Sequence, residues 1–148
     1  MNDMEKVAKK EAEDLLKKLG VKPTIKSELV EGGVRLVIDT DENALLIGKH
    51  GNTLSSLELI LSLIVSKENG DFVRVTIEVG GYKQEREAYL KELAEKLKEE
   101  VLSSGGEKTI NSLKPWERRF VHMHLADSEV VTESTGEERE RVLVIKRK

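Results

Sequence analysis

Residues 45–54 read Leu45-Leu46-Ile47-Gly48-Lys49-His50-Gly51-Asn52-Thr53-Leu54: two glycines bracket a basic pair between two short apolar runs. Neither glycine carries a Cβ, so the backbone can turn sharply here and approach a partner closely. A long helical pattern opens immediately afterwards, and either Asn52 or Thr53 has the side chain to cap it. The amides at a helix start point outward with partial positive charge, which suits an anionic group. Most Gly-x-x-Gly strings are ordinary turns, so the neighbouring segments decide the meaning of this one.

Upstream, Thr40 or Asp41 can cap a short helix over Asn43–Ile47. Before it, residues 24–30 and 34–38 read as two strands, with Glu31-Gly32-Gly33 as the hairpin turn. Pro23 resets the chain ahead of the first strand, and Gly20 ends an initial helix over 4–19 with Met4, Ala8, Ala12, Leu15 and Leu19 at helical spacing. Downstream, the helix over 53–66 is apolar at Leu54, Leu57, Leu59, Ile60, Leu61, Leu63, Ile64 and Val65, more than one stripe, which predicts burial on two sides. Asn69-Gly70-Asp71 breaks it, and Val73, Val75, Ile77 and Val79 then alternate with polar residues as a strand with one buried face. The resulting order is helix, strand, strand, helix, Gly-x-x-Gly, helix, strand. That is the type II KH arrangement, in which the loop clamps a nucleotide backbone.

Gly80-Gly81 marks a boundary, dividing the chain into 1–81 and 82–148. Residues 82–102 predict a long helix with Tyr89, Leu93, Leu97 and Val101 at four-residue steps, expected as a solvated amphipathic helix joining two small domains. Gly105-Gly106 stops it. A short extended piece over 107–113 precedes a helix that Pro115 can open and that runs to about Ala126. Residues 130–132 and 141–145 read as a closing hairpin around Ser134-Thr135-Gly136-Glu137. The whole is an α+β chain of two domains.

Within Lys114-Pro115-Trp116-Glu117-Arg118-Arg119-Phe120-Val121-His122-Met123-His124, a helix puts Leu113, Trp116, Phe120 and Met123 on one stripe. Arg118 and His122, four apart, share the opposite side. A guanidinium beside an imidazole on an exposed face suits a phosphate or a base edge. The alternative is that Arg118 pairs with a carboxylate and His122 caps a local group. His124 falls near the apolar stripe and reads as a core histidine. On a strand, His122 and His124 could share a metal, but the stripe favours a helix and no third ligand is spaced to help.

Composition narrows the function classes. A 148-residue chain that is 38% hydrophobic can bury one core or two small ones. The formal charge of −3 means that any nucleic-acid contact must come from local patches, not from bulk charge. Aromatic residues are 3% of the chain, too few for a sheet-based stacking platform. With no cysteine there is no disulfide or thiol nucleophile, which fits a reducing cytoplasm. No apolar run approaches the ~20 residues of a membrane helix. The loop lacks the Gly-Lys-Ser/Thr ending of a nucleotide P-loop, and neither a Gly-x-Ser-x-Gly elbow nor a His-Glu-x-x-His pair occurs. The expectation is a binding protein with neither cofactor nor catalysis.

A type II KH domain followed at once by an Arg-x-x-x-His (R-three-H) domain resembles the bacterial Jag, or KhpB, family over nearly the whole chain. The resemblance rests on residues 46–54, on Gly81-Tyr82-Lys83, on residues 115–122, on Thr132-Glu133-Ser134-Thr135-Gly136-Glu137-Glu138 and on Arg141. It implies a cytoplasmic RNA-binding protein, an RNA chaperone linked to cell-envelope growth, working with a small KH-only partner. Family members also carry a small N-terminal domain and a charged linker, so the resemblance implies a short member or a fragment. After Gly136-Glu137-Glu138 the family shows a proline and paired arginines, whereas Arg139-Glu140-Arg141-Val142 keeps one arginine in register.

Single-stranded RNA is therefore the expected ligand, with Gly48, Lys49, His50 and Gly51 holding its backbone and Ile47, Thr53 and Leu57 lining the groove. Arg118 and His122, helped by Arg119, Arg141 and Lys146, form the expected second surface. The competing expectation is an adaptor that docks another KH protein, or a second copy of itself, with little RNA contact.

Overall fold

The computed structural model describes residues 3–148; Met1 and Asn2, which the sequence assigns to the first domain, lie outside the described residues. The chain divides into two compact units, 1–83 and 84–148, each with its own core. Tyr82 and Lys83 thus belong with the first unit, two residues beyond the boundary expected at Gly81.

The first unit runs α1 (Asp3–Lys18), β1 (Thr24–Val30), β2 (Gly33–Asp39), α2 (Asn43–Ile47), α3 (Asn52–Asn69) and β3 (Arg74–Val79), with a 3-10 turn at Lys49–Gly51. Strand β2 is central, antiparallel to β1 and parallel to β3, with Val30 opposite Gly33 across the hairpin turn. Its Leu36 and Ile38 meet Val75, Ile77 and Val79 in the core, beneath α1 and α3. Helix α1 buries Ala8, Ala12 and Leu16, and its expected stripe member Leu19 is exposed. The buried positions step by four, which keeps one narrow face against the sheet.

Helix α3 corrects a second expectation. It buries Leu54, Leu57, Leu61 and Val65 on one face only. The adjoining stripe, Glu58, Ser62 and Ser66, closes the outer edge of β3. There Glu58 Oε2 accepts from the Ile77 amide, and Ser62 and Ser66 Oγ accept from the Val75 and Val73 amides, each at 2.8 Å. Buried backbone donors require partners, so this helix commits its second side to hydrogen bonds. Leu59 and Leu63 are left 61% and 59% exposed beside Phe72.

The second unit takes most of α4 (Tyr82–Ser104), then β4 (Lys108–Ile110), α5 (Pro115–Leu125), β5 (Val130–Thr135) and β6 (Val142–Arg147). The sheet order is β4-β6-β5, all antiparallel. Helix α4 is no solvated connector. Leu90, Ala94 and Val101 are fully buried, with Leu93 and Leu97 packed beside them, while Tyr89 is exposed. Of the four residues that the sequence placed on its apolar face, Leu93, Leu97 and Val101 pack there, joined by Leu90 and Ala94, and Tyr89 does not. On α5 the buried residues are Glu117, Val121 and Leu125; Trp116 and Phe120 pack partly, and Met123 is exposed.

Candidate nucleic-acid interface

The chain leaves α2 through Gly48 at φ 70° and passes His50 at φ 53° and Gly51 at φ 76°. Three left-handed residues in four reverse the backbone within one 3-10 turn. Gly51 is the N-cap of α3 and makes no side-chain capping bond, so neither Asn52 nor Thr53 fills the capping role expected of them. Thr53 instead packs back on the loop, where a Cβ on Gly48 would meet its Oγ1 at 2.1 Å. A Cβ on Gly51 would meet the Tyr82 hydroxyl at 2.7 Å. Both glycines are therefore required by close approach as well as by φ. Neither Thr40 nor Asp41 caps α2, whose N-cap is Glu42; Thr40 Oγ1 accepts from the Glu42 amide at 3.3 Å.

Lys49 and His50 are exposed at the tip of the loop, Gly48 is half-buried and Gly51 buried. Ile47 is half-buried against the first core and Thr53 is exposed, so both offer surface beside the loop. Leu57 does not: at 6% exposure it belongs to the core and supports α3 from beneath.

In the second unit the N-terminus of α5 is anchored by Glu117. Its Oε1 accepts from the Lys114 amide at 2.8 Å, and its Oε2 accepts from Arg86 Nε on α4. The Glu117 side chain is 1% exposed, and Arg86 also lies 5.0 Å from the centre of the Tyr89 ring. At the next residue, Arg118 Nη1 donates to the Leu113 carbonyl at 2.6 Å, and one turn further on His122 Nδ1 meets Thr132 Oγ1 at 2.5 Å. Arg118 thus bonds backbone rather than the carboxylate that the alternative required, and its other guanidinium nitrogens keep their donors.

The remaining cations separate. Arg119 is exposed on α5, and Arg141 is exposed just before β6. Lys146 stands opposite Val131, whereas Thr132 stands opposite the buried Ile145. Side chains alternate along a strand, so Lys146 lies on the face of the sheet away from Thr132 and His122. It is also ion-paired to Glu133 at 3.1 Å. Lys146 is not brought to the Arg118–His122 surface. His124 is no core histidine either: its Nε2 lies 3.0 Å from Glu95 Oε1 at the surface. The Lys98 ammonium, with His124 adding to it, holds the Glu95 carboxyl below its usual range. With His122 turned to β5 and His124 to α4, the two imidazoles share no metal position.

Residues 9–77 match the KhpA/KhpB KH domain and residues 88–147 match the R-three-H domain. The chain belongs to the KhpB family. It is 37% identical over 106 residues to the RNA-binding protein KhpB of Clostridium symbiosum, covering 71% of this chain and 48% of that protein. The KhpB proteins of Lactiplantibacillus plantarum and Bacillus subtilis are 31% and 35% identical over 132 and 118 residues. Those matches cover 88% and 78% of this chain, and 41% and 57% of the relatives. The chain thus spans about half the length of the curated relatives it matches.

Four residues around these surfaces were given no role from the sequence: Arg86, and Tyr82, Glu117 and Thr132, which entered only within the motifs of the resemblance. Glu117 carried a usable signal, since a glutamate three residues after the N-cap and two after Pro115 is the spacing of a capping box. The other three meet their partners across long stretches of chain, where no local pattern points.

Proposed function

We propose that this chain binds single-stranded RNA through both units and performs no catalysis. The observation that carries the reading is the Gly48–Gly51 loop: a left-handed turn opening α3, with Lys49 and His50 exposed at its tip. Such a loop lets phosphates approach backbone amides, while Lys49 adds positive charge and His50 a polar ring. Arg118, Arg119 and His122 supply a second donor-rich surface, with Arg141 as a further exposed cation. The relatives' shared name, RNA-binding protein KhpB, supports the same ligand. Action in the cytoplasm as an RNA chaperone in cell-envelope growth is the finer reading, and family resemblance is its support. Among the described residues, no helix is long and apolar enough to cross a membrane.

The deciding experiment titrates the intact chain against a single-stranded RNA at several salt concentrations. Lys49→Asp with His50→Asp removes the loop's positive charge, and aspartate tolerates the left-handed φ at residue 50. Affinity should fall about tenfold or more, and the log–log salt slope should flatten by roughly 0.7 per lost phosphate contact. Unchanged affinity in the folded double variant would remove the loop from the site.

A second reading has its own observation. Leu59 and Leu63 on α3, with Phe72, leave an apolar surface that the first unit does not cover. The KH domain type matched here is common to KhpA and KhpB, so a KH-only partner would present an equivalent helix. On this reading that partner docks there, and a second copy of this chain is the competing outcome. Apolar docking persists at high salt, where phosphate binding weakens. Leu63→Arg should abolish capture of the KH-only protein while leaving RNA affinity of the isolated chain unchanged.

A further inference from the structure

We infer that Thr132 is a positioning residue of the R-three-H surface, holding the His122 ring by Nδ1 so that Nε2 is its outward hydrogen-bonding atom toward RNA. This rests on the proposed RNA-binding function and adds to it a residue on β5, outside the Arg-x-x-x-His motif.

The register of the hairpin puts Thr132 in place. Val130 is buried on the core side of β5, and Thr132, two residues on, shares that face and stands opposite the buried Ile145. Its hydroxyl meets His122 Nδ1 on α5 at 2.5 Å. His122 is exposed, so that bond constrains how its ring turns.

A hydroxyl suits this position because it serves every form of the ring. A neutral imidazole has one donor and one acceptor nitrogen, whereas an imidazolium has two donors. A hydroxyl can donate to a bare Nδ1 or accept from Nδ1–H, so the bond forms in both tautomers and in the charged ring. In each case Nδ1 is engaged and Nε2 is the nitrogen that faces outward beside Arg118. A carboxylate at residue 132 could only accept, and would hold the neutral ring as the Nδ1–H tautomer, with Nε2 an acceptor that repels phosphate. The group bonded to one ring nitrogen governs what the other presents.

The test compares Thr132→Val, which keeps the β-branched shape, with Thr132→Ser, which keeps the hydroxyl. In the RNA-free intact protein at a pH where the ring is neutral, the Nδ1 15N shift of His122 should be alike in wild type and Thr132→Ser. Thr132→Val should move it to that of an imidazole without the Nδ1 bond. Against a fluorescein-labelled oligouridine, Thr132→Val should bind about fivefold more weakly, with Thr132→Ser recovering most of the loss and all variants melting alike. In a His122→Ala background, Thr132→Val should have no further effect. An unchanged Nδ1 shift and unchanged affinity in Thr132→Val would overturn the assignment. So would an equal loss in the His122→Ala background, which would make Thr132 an RNA contact in its own right. If the Nδ1 shift responds as expected but neither His122→Ala nor Thr132→Val alters RNA affinity, the RNA reading of this surface fails while the ring-holding bond stands.

Discussion

Gly51 meets two constraints at once. Its φ of 76° belongs to the left-handed region, and the Tyr82 ring occupies the space in which a Cβ would sit. The first costs an alanine roughly 1–2 kcal/mol; the second forces Tyr82, a first-unit residue at the start of α4, to move. Gly51→Ala should therefore destabilise the first unit by about 2 kcal/mol or more in urea unfolding. A companion Tyr82→Ala change removes the clash but not the φ cost, so it should restore only the part owed to contact. A Gly51→Ala variant with wild-type stability would mean that the loop is far more plastic than its geometry requires.

At the scale of elements, α5 depends on one buried carboxylate. Glu117 ties its N-terminus to Lys114 and to Arg86 on α4, and so holds the turn from which Arg118 projects. Replacing one partner of a buried pair strands the other, at a cost of about 3–5 kcal/mol. Glu117→Gln keeps the acceptor for the Lys114 amide but leaves Arg86 uncompensated, so about 3 kcal/mol is expected. Hydrogen exchange should quicken in α5 and β4–β6 and stay unchanged in the first unit. Replacing both partners by methionine should recover much of the loss; failure to do so would show that the capping bond, not the ion pair, holds the helix.

At the scale of the whole molecule, the two units have separate cores. Residues 1–83 and 84–148, produced separately, should each fold and each bind RNA more weakly than the intact chain, because linked sites raise one another's effective concentration. The position of the cut matters. Ending the first piece at residue 81 discards Tyr82, which packs on Gly51, and Lys83, which pairs with Glu58 at 3.3 Å. The 1–83 piece should unfold at higher urea than 1–81. If the first unit alone matches the intact chain on a long RNA, the Arg118–His122 surface serves another purpose.

Local signals carried most of the architecture: glycine and proline punctuation, the period-two strand at 74–79 and the Gly-x-x-Gly loop determined element order, two domains and the family. The placement of Lys49, His50, Arg118 and His122 on loop tip and helix was legible for the same reason, since i, i+4 spacing and turn chemistry act within a few residues. Which helix face is buried was not. The stripes of α3 and α5 each had several apolar choices, and contact with a particular sheet selected among them. Glu58, Ser62 and Ser66 were drawn to an open strand edge, and that left Leu59 and Leu63 outside. Strand register alone separated Lys146 from His122 and put Thr132 beside it, because pairing between distant segments decides which alternate side chains share a face.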